Sequence, residues 1–254
     1  MEAVEDLSYP MPFLLSELGI LIPIVIYVFI GDLVGDSARI GGDYFTFASI
    51  GTAVTLILQS ALSGFGTSLG RAQNRGQFET LLVEPIPWIY LPFAMNLWRT
   101  FLGLMNGALV LGVSALLGAN YRLVGLGQFI ILALLGVLAS MAIGILAASL
   151  AIVAKRAQPI LTLYGMASSL LAGALFSVDQ LPTWLRPLSW LIPHTYVINA
   201  SRSALMSDPG SFVMPVGTAV LALAVFVIVV LPIGLWIFMR SLRFSRKAGI
   251  LGGY

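Results

Sequence analysis

The sequence predicts an all-α polytopic membrane protein with six transmembrane helices, a short cytoplasmic helix between spans two and three and a re-entrant outer segment before the last span. Two observations carry the class. Hydrophobic residues fill 59% of the 254 positions and charged residues only 9%, where a soluble domain carries roughly 25% charged residues. Apolar stretches of about 20 residues recur, enough to cross a hydrocarbon core of about 30 Å as helices. The alternating strands of about ten residues that build an outer-membrane barrel are not seen.

The six spans fall at about 13–34, 45–69, 89–117, 125–154, 160–177 and 212–239. The third and fourth exceed one crossing, which predicts tilt or interfacial extension. The N-terminus, MEAVEDLSYPMP, is acidic and lacks the basic start of a cleavable signal, so the first run is expected to stay as an anchor. No soluble domain separates out, and the whole of 1–254 is expected to form a single transmembrane domain.

Orientation follows from the Lys/Arg bias. With the N-terminus inside, Arg71, Arg75, Lys155, Arg156, Arg240, Arg243, Arg246 and Lys247 face the cytoplasm. Arg39, Arg122, Arg186 and Arg202 lie outside, and Arg99 sits at the inner end of span three. Both termini are therefore expected in the cytoplasm.

The chemistry-bearing residues exclude several classes. A net charge of +2, with no basic run before the C-terminal tail, argues against nucleic-acid binding. There is no cysteine, hence no disulfide and no thiolate metal site. The single histidine, His194, reads as an interfacial hydrogen-bonding residue rather than a base or ligand. Asp32, Asp36 and Asp43 have the spacing of a solvated loop, short of the further ligands a cation needs. No G-x-S-x-G occurs. Neither Lys155 nor Lys247 follows a phosphate-loop glycine pattern, so any ATP hydrolysis belongs to another chain. No metal and no cofactor is expected on this one.

Asn96, Arg99, Gly103 and Asn106 share one face of the third span. Two readings stay open. Asn96, Arg99 and Asn106 line a translocation path, or Arg99 snorkels to the headgroups while the asparagines bond neighbouring helices. Small residues at four-residue spacing, Ser60/Gly64/Ser68, Gly136/Ser140/Gly144 and Gly165/Ser169/Gly173, predict close helix contacts.

Two segments break the apolar pattern. Between spans two and three, RAQNRGQFETLLVEPIP places Arg71, Arg75 and Glu79 four residues apart, which a helix over about 71–83 would align. Phe78, Leu81 and Leu82 form an adjoining apolar patch, and Pro85 and Pro87 end the helix; the residues alone leave two readings open, an ordinary interfacial loop or a short helix presenting charge and an aromatic plug to a cytoplasmic partner. Before span six, residues 178–204 are broken by Pro182, Pro187 and Pro193 and carry Trp184, Trp190 and Tyr196, aromatics of the membrane interface. This segment is expected to dip into the outer leaflet. No internal repeat is visible, which weighs against an inverted-repeat secondary transporter.

Three stretches resemble the membrane subunit of ATP-binding-cassette exporters of the ABC type-2 family, the drug and polysaccharide exporter permeases. GQFETLLVEPIP resembles the family's G-T-L-E-x-L-L-x-T-P, through Gly76, Glu79, Leu81, Leu82 and Pro85. LPTWLRPLSWLIPHTYVINASR resembles L-P-x-W-L-x-x-L-S-x-L-x-P-L-T-Y-x-x-x-x-x-R, through Leu181, Pro182, Trp184, Leu185, Leu188, Ser189, Leu191, Pro193, Thr195, Tyr196 and Arg202. The tail GILGGY resembles a G-T-L-x-x-Y ending. Gln77, Phe78, Glu84 and His194 depart from the pattern.

The resemblance implies a half-transporter in the cytoplasmic membrane of a prokaryote. A second permease, identical or related, would complete the path, and two ATPase subunits carrying ATP and Mg would dock beneath. Arg71, Arg75, Gly76, Phe78, Glu79, Leu81, Leu82 and Pro85 would form the ATPase-coupling element. Pro182, Trp184, Trp190, Pro193, His194 and Tyr196 would form the outer gate, and the basic tail would meet anionic lipid headgroups. The cargo would be an amphipathic or lipophilic drug, lipid or glycan. A stand-alone carrier or channel driven by an ion gradient is the alternative, with a lipid-acting membrane enzyme behind it.

Overall fold

The computed structural model describes residues 11, 15, 18–34, 43–76, 87–154, 158–208 and 214–247. Among them every regular element is helical. The α-helices are α1 (Ile22–Val34), α2 (Tyr44–Asn74), α3 (Leu91–Leu116), α4 (Leu126–Ala154), α5 (Gln158–Leu171), α6 (Arg186–Trp190), α7 (Pro193–Leu205) and α8 (Val216–Lys247). Four stretches are long and apolar enough to cross a membrane: Tyr44–Gln73, Trp88–Leu116, Leu123–Leu150 and Val216–Phe244. Ile22–Gly31 and Leu161–Leu171 are apolar but shorter.

Each of the six predicted spans meets a helix, and the boundaries move for local reasons. The second predicted span ends at 69, whereas α2 continues to Asn74 and stops where Gly76 takes φ 66°. That left-handed conformation suits glycine and closes a helix C-terminus. Arg71 therefore belongs to the last turn of α2, not to a separate helix over 71–83, and residues 77–86 lie outside the described ones. The fifth predicted span runs to 177, but α5 stops at Leu171. Gly173 at φ 75° reverses the chain, with its amide and that of Ala174 donating to Leu170 and Ser169. The sixth is placed at 212–239, and α8 instead runs on to Lys247 through Arg240 and Arg243. Its 32 residues span about 48 Å, more than a bilayer core needs.

α2 is the central helix and packs against α1, α3, α4, α5 and α7. Asp43 caps it, its carboxylate accepting from the Phe45 amide (2.9 Å) and the Thr46 hydroxyl (2.6 Å). That employs one member of the predicted aspartate cluster as a helix cap.

The small residues set the helix spacing. A Cβ on Gly64 would stand 1.8 Å from Asn96 Oδ1, and one on Gly103 would stand 2.4 Å from Ser60 Cβ, so α2 and α3 meet through these glycines. Gly144 brings α4 to the Leu62 carbonyl of α2 in the same way. Without a hydrophobic force between helices in lipid, such close approach is what holds a bundle.

Candidate functional site

α2 carries a stripe of uncharged polar residues on an otherwise apolar helix: Thr52, Thr55, Gln59, Ser63 and Thr67, spaced by three or four. α5 lies opposite, running antiparallel. Between them is a groove of about 380 Å³ lined by Thr55, Gln59, Ser63, Leu161, Thr162, Gly165, Met166 and Ser169. None of these residues is charged.

Three of the lining hydroxyls are satisfied by their own helices. Thr55 donates to the Gly51 carbonyl (2.7 Å), Ser63 to Gln59 (2.8 Å) and Ser169 to Met166 (2.9 Å). Back-bonding of this kind lets a hydroxyl live in an apolar setting. It also commits the single proton of each and leaves oxygen lone pairs facing the groove. The groove is thus a row of acceptors on an apolar floor. Midway, Gln59 Nε2 reaches across to the Gly165 carbonyl (2.8 Å) and Ser168 Oγ (3.4 Å), tying the walls together.

Beyond the Thr55/Ser169 end of the groove, Arg202 of α7 ties α2 to the turn that follows α5. This side chain is 2% exposed, and its guanidinium donates to the Gly173 carbonyl (2.7 Å), the Ala174 carbonyl (2.6 Å) and, from two nitrogens, the Phe47 carbonyl (3.3 Å each). Its centre also sits 3.4 Å from the Phe47 ring centroid. Hydrogen bonds to a charged group are worth about 1.5–3 kcal/mol each, and a desolvated cation–π contact about 2 kcal/mol. The carbonyls of Gly173 and Ala174 close the C-terminal end of α5, where the helix dipole favours a cation. Gly51 makes the approach feasible: a Cβ there would stand 2.0 Å from the Ala174 oxygen and 2.6 Å from Arg202 Nη2.

Arg202 was expected among the external loop cations. It is instead an interior residue, because α7 is packed into the bundle against α4, α2 and α8 and also touches α5. The His194 ring meets Tyr164 edge-on (centroids 5.8 Å apart, 69°), while Arg202 meets the end of α5 two turns further on. α7 and α5 therefore run in the same direction, and the chain between them doubles back.

The remaining predicted outer residues sit around this hairpin. Pro182 and Trp184 are exposed, the latter at 71%. Tyr196 donates to the Trp190 carbonyl (2.9 Å) and stacks edge-on against its ring at 5.9 Å. Pro193 starts α7 at the first-turn position that tolerates proline. His194 is neither interfacial nor hydrogen-bonded as expected: it is 1% exposed, and both ring nitrogens lack partners among the described residues.

Asn96 and Asn106 are not in the groove. Both are buried in the α3 helix, and Asn96 Nδ2 donates to the Ala61 carbonyl of α2 (2.8 Å), the interhelical bonding that was the second of the two open readings. Arg99 is half-buried on the same helix. Of the coupling residues, Arg71, Arg75 and Gly76 close α2, while Phe78, Glu79, Leu81, Leu82 and Pro85 lie outside the described residues. The described residues hold no group of three His, Asp or Glu able to bind a metal.

The sequence reading missed the α2 stripe and the Arg202 tie. The stripe has a signal, since Thr55, Gln59, Ser63 and Thr67 recur at helical spacing within a span. The tie has none, because its acceptors are backbone carbonyls.

The described residues thus form a bundle of apolar helices, four of them long and apolar enough to cross a membrane, with an uncharged polar groove between α2 and α5. The family model for ABC-2 type transporters matches residues 9–206, and the chain belongs to that family. It is accordingly a membrane permease component, of a family that works with an ATP-binding-cassette ATPase. No curated protein matches it.

Proposed function

We propose that this chain is the permease half of an ATP-driven exporter, with the α2/α5 groove as its share of the cargo path. The observation that carries the reading is the acceptor-lined groove in a chain of the ABC-2 family. A neutral groove offers an anion no counter-charge and offers an ion-coupled carrier no titratable group. It suits an amphipathic cargo whose hydrogen-bond donors meet Thr55, Ser63 and Ser169 while its apolar body lies on Leu161 and Met166.

Six crossings follow in this reading, with α1 and α5 as the two shorter ones and both termini in the cytoplasm. The hairpin of α6 and α7 is re-entrant from the outer face, with Trp184, Trp190 and Leu191 presented to lipid or to a second permease. Coupling falls to the segment after α2, where Arg71 and Arg75 lead into Phe78 and Glu79. An ATPase seated there would push on the inner ends of α2 and α3 together and drive the bundle between inward- and outward-open states.

The test is export from cells or vesicles by Phe78→Ala and Glu79→Arg variants matched for membrane level. Both are expected to lose at least tenfold in export. Unchanged export in both would sink the coupling assignment.

A further inference from the structure

We propose that Arg202 is the hinge pin of the α2/α5 groove: it fixes the outer ends of the two walls to each other, so the groove widens from its inner end, with Gln59 as the releasable tie. The inference rests on the cargo-path reading above for its purpose, while the hinge itself concerns only which end opens.

The walls are antiparallel, and three levels of contact join them in order. At the outer end Arg202 bridges the Phe47 carbonyl of α2 to the Gly173 and Ala174 carbonyls in the turn directly after α5. In the middle Gln59 holds the Gly165 carbonyl. At the inner end Leu161 packs with Leu62 and Ala147, an apolar contact without direction.

These levels differ in kind. The outer tie is a charged guanidinium, 2% exposed, held by several carbonyls at once and by a ring face. Pulling it apart would strand a cation that cannot discharge itself by losing a proton. The middle tie is one neutral amide, half-buried beside the groove, whose loss leaves groups that groove water or cargo can satisfy. The inner contact can slide. When the walls part, Gln59 releases and Arg202 does not. Gly173, in a left-handed conformation beside the pin, lies where a hinge must absorb rotation.

The sequence contains no cysteine, so introduced pairs report cleanly. Thr55→Cys with Ser169→Cys reads the groove above Gln59, and Ser63→Cys with Thr162→Cys reads it below. Both are cross-linked with a bifunctional thiosulfonate in native membranes, with the linked peptides identified by mass spectrometry. Between nucleotide-free and ATP-vanadate states, the lower pair is expected to change its rate at least fivefold and the upper pair less than twofold. Arg202→Gln is expected to slow the upper pair at least fivefold. Gln59→Leu, which leaves the core intact and decides the matter if Arg202→Gln does not reach the membrane, is expected to shift only the lower pair. An upper pair that responds to nucleotide as strongly as the lower, or a Gln59→Leu effect equal at both levels, overturns the hinge. A Gln59→Leu effect confined to the lower pair, with neither pair responding to ATP and vanadate, supports the hinge and removes the ATP-driven reading instead.

Discussion

Phe65 of α2 and Phe238 of α8 meet edge to face, their centroids 5.3 Å apart and their planes at 82°. Both are fully buried, at the centre of a cluster with Leu69, Ile145, Ala148 and Leu242. Such pairs add about 0.5–1.5 kcal/mol beyond their area. Phe238→Ala is expected to cost about 3 kcal/mol, as core phenylalanine truncations do, and Phe238→Leu about 1 kcal/mol. Thermal unfolding of the purified variants in one detergent checks this. Equal losses in the two variants would contradict this, because the volume that leucine keeps would then contribute nothing.

Glycine substitutions separate packing from propensity. A Cβ on Gly144 would stand 2.2 Å from the Leu62 carbonyl oxygen, backbone that cannot rotate away. Gly144→Ala is therefore expected to cost about 2 kcal/mol or more by forcing α4 from α2. Gly112 in α3 has nothing within 4 Å, and Gly112→Ala is expected to gain about 0.5–1 kcal/mol from helix propensity. Melting temperatures moving in opposite directions are the predicted readout.

His194 is buried with both nitrogens unpartnered among the described residues, its ring edge-on to that of Tyr164, whose hydroxyl is unpartnered among them too. Removing a polar group that has no partner costs little, since its desolvation is already lost. His194→Leu is expected to leave stability within about 1 kcal/mol or raise it. A loss above about 2 kcal/mol, again by thermal unfolding, would place an ordered water or other partner at the ring.

The sequence made the helices legible because each one is an apolar run, and apolar runs need no tertiary information. Their ends were less so. The extension of α2 to Asn74 and the stop of α5 at Leu171 depend on glycines at positive φ, Gly76 and Gly173, whose conformation composition does not reveal. Asn96 illustrates the limit for sites. Its helical face could be read, but which neighbour that face met could not, and the neighbour turned out to be the Ala61 carbonyl. Arg202 was misread for a related reason. A cation in a proline-rich segment looks external until its partners are seen to be the carbonyls at the end of another helix.

The groove makes a further prediction about cargo. Ser63→Leu and Ser169→Leu remove acceptors from opposite walls without touching the Arg202 tie. Each is expected to reduce export of a donor-bearing amphipathic cargo about tenfold, which corresponds to about 1.4 kcal/mol or one lost hydrogen bond. Initial export rates measured over a range of cargo concentrations check it, with the loss expected in the concentration dependence.

Whether a separate ATPase drives this permease is decided by what co-purifies with it. A tagged copy is purified from its native membrane in mild detergent, and the eluate is assayed for vanadate-sensitive ATP hydrolysis, with Glu79→Arg alongside. Hydrolysis is expected to co-purify with the native chain and to fall at least tenfold with the reversed charge. An eluate free of ATPase activity from a well-folded sample would contradict it.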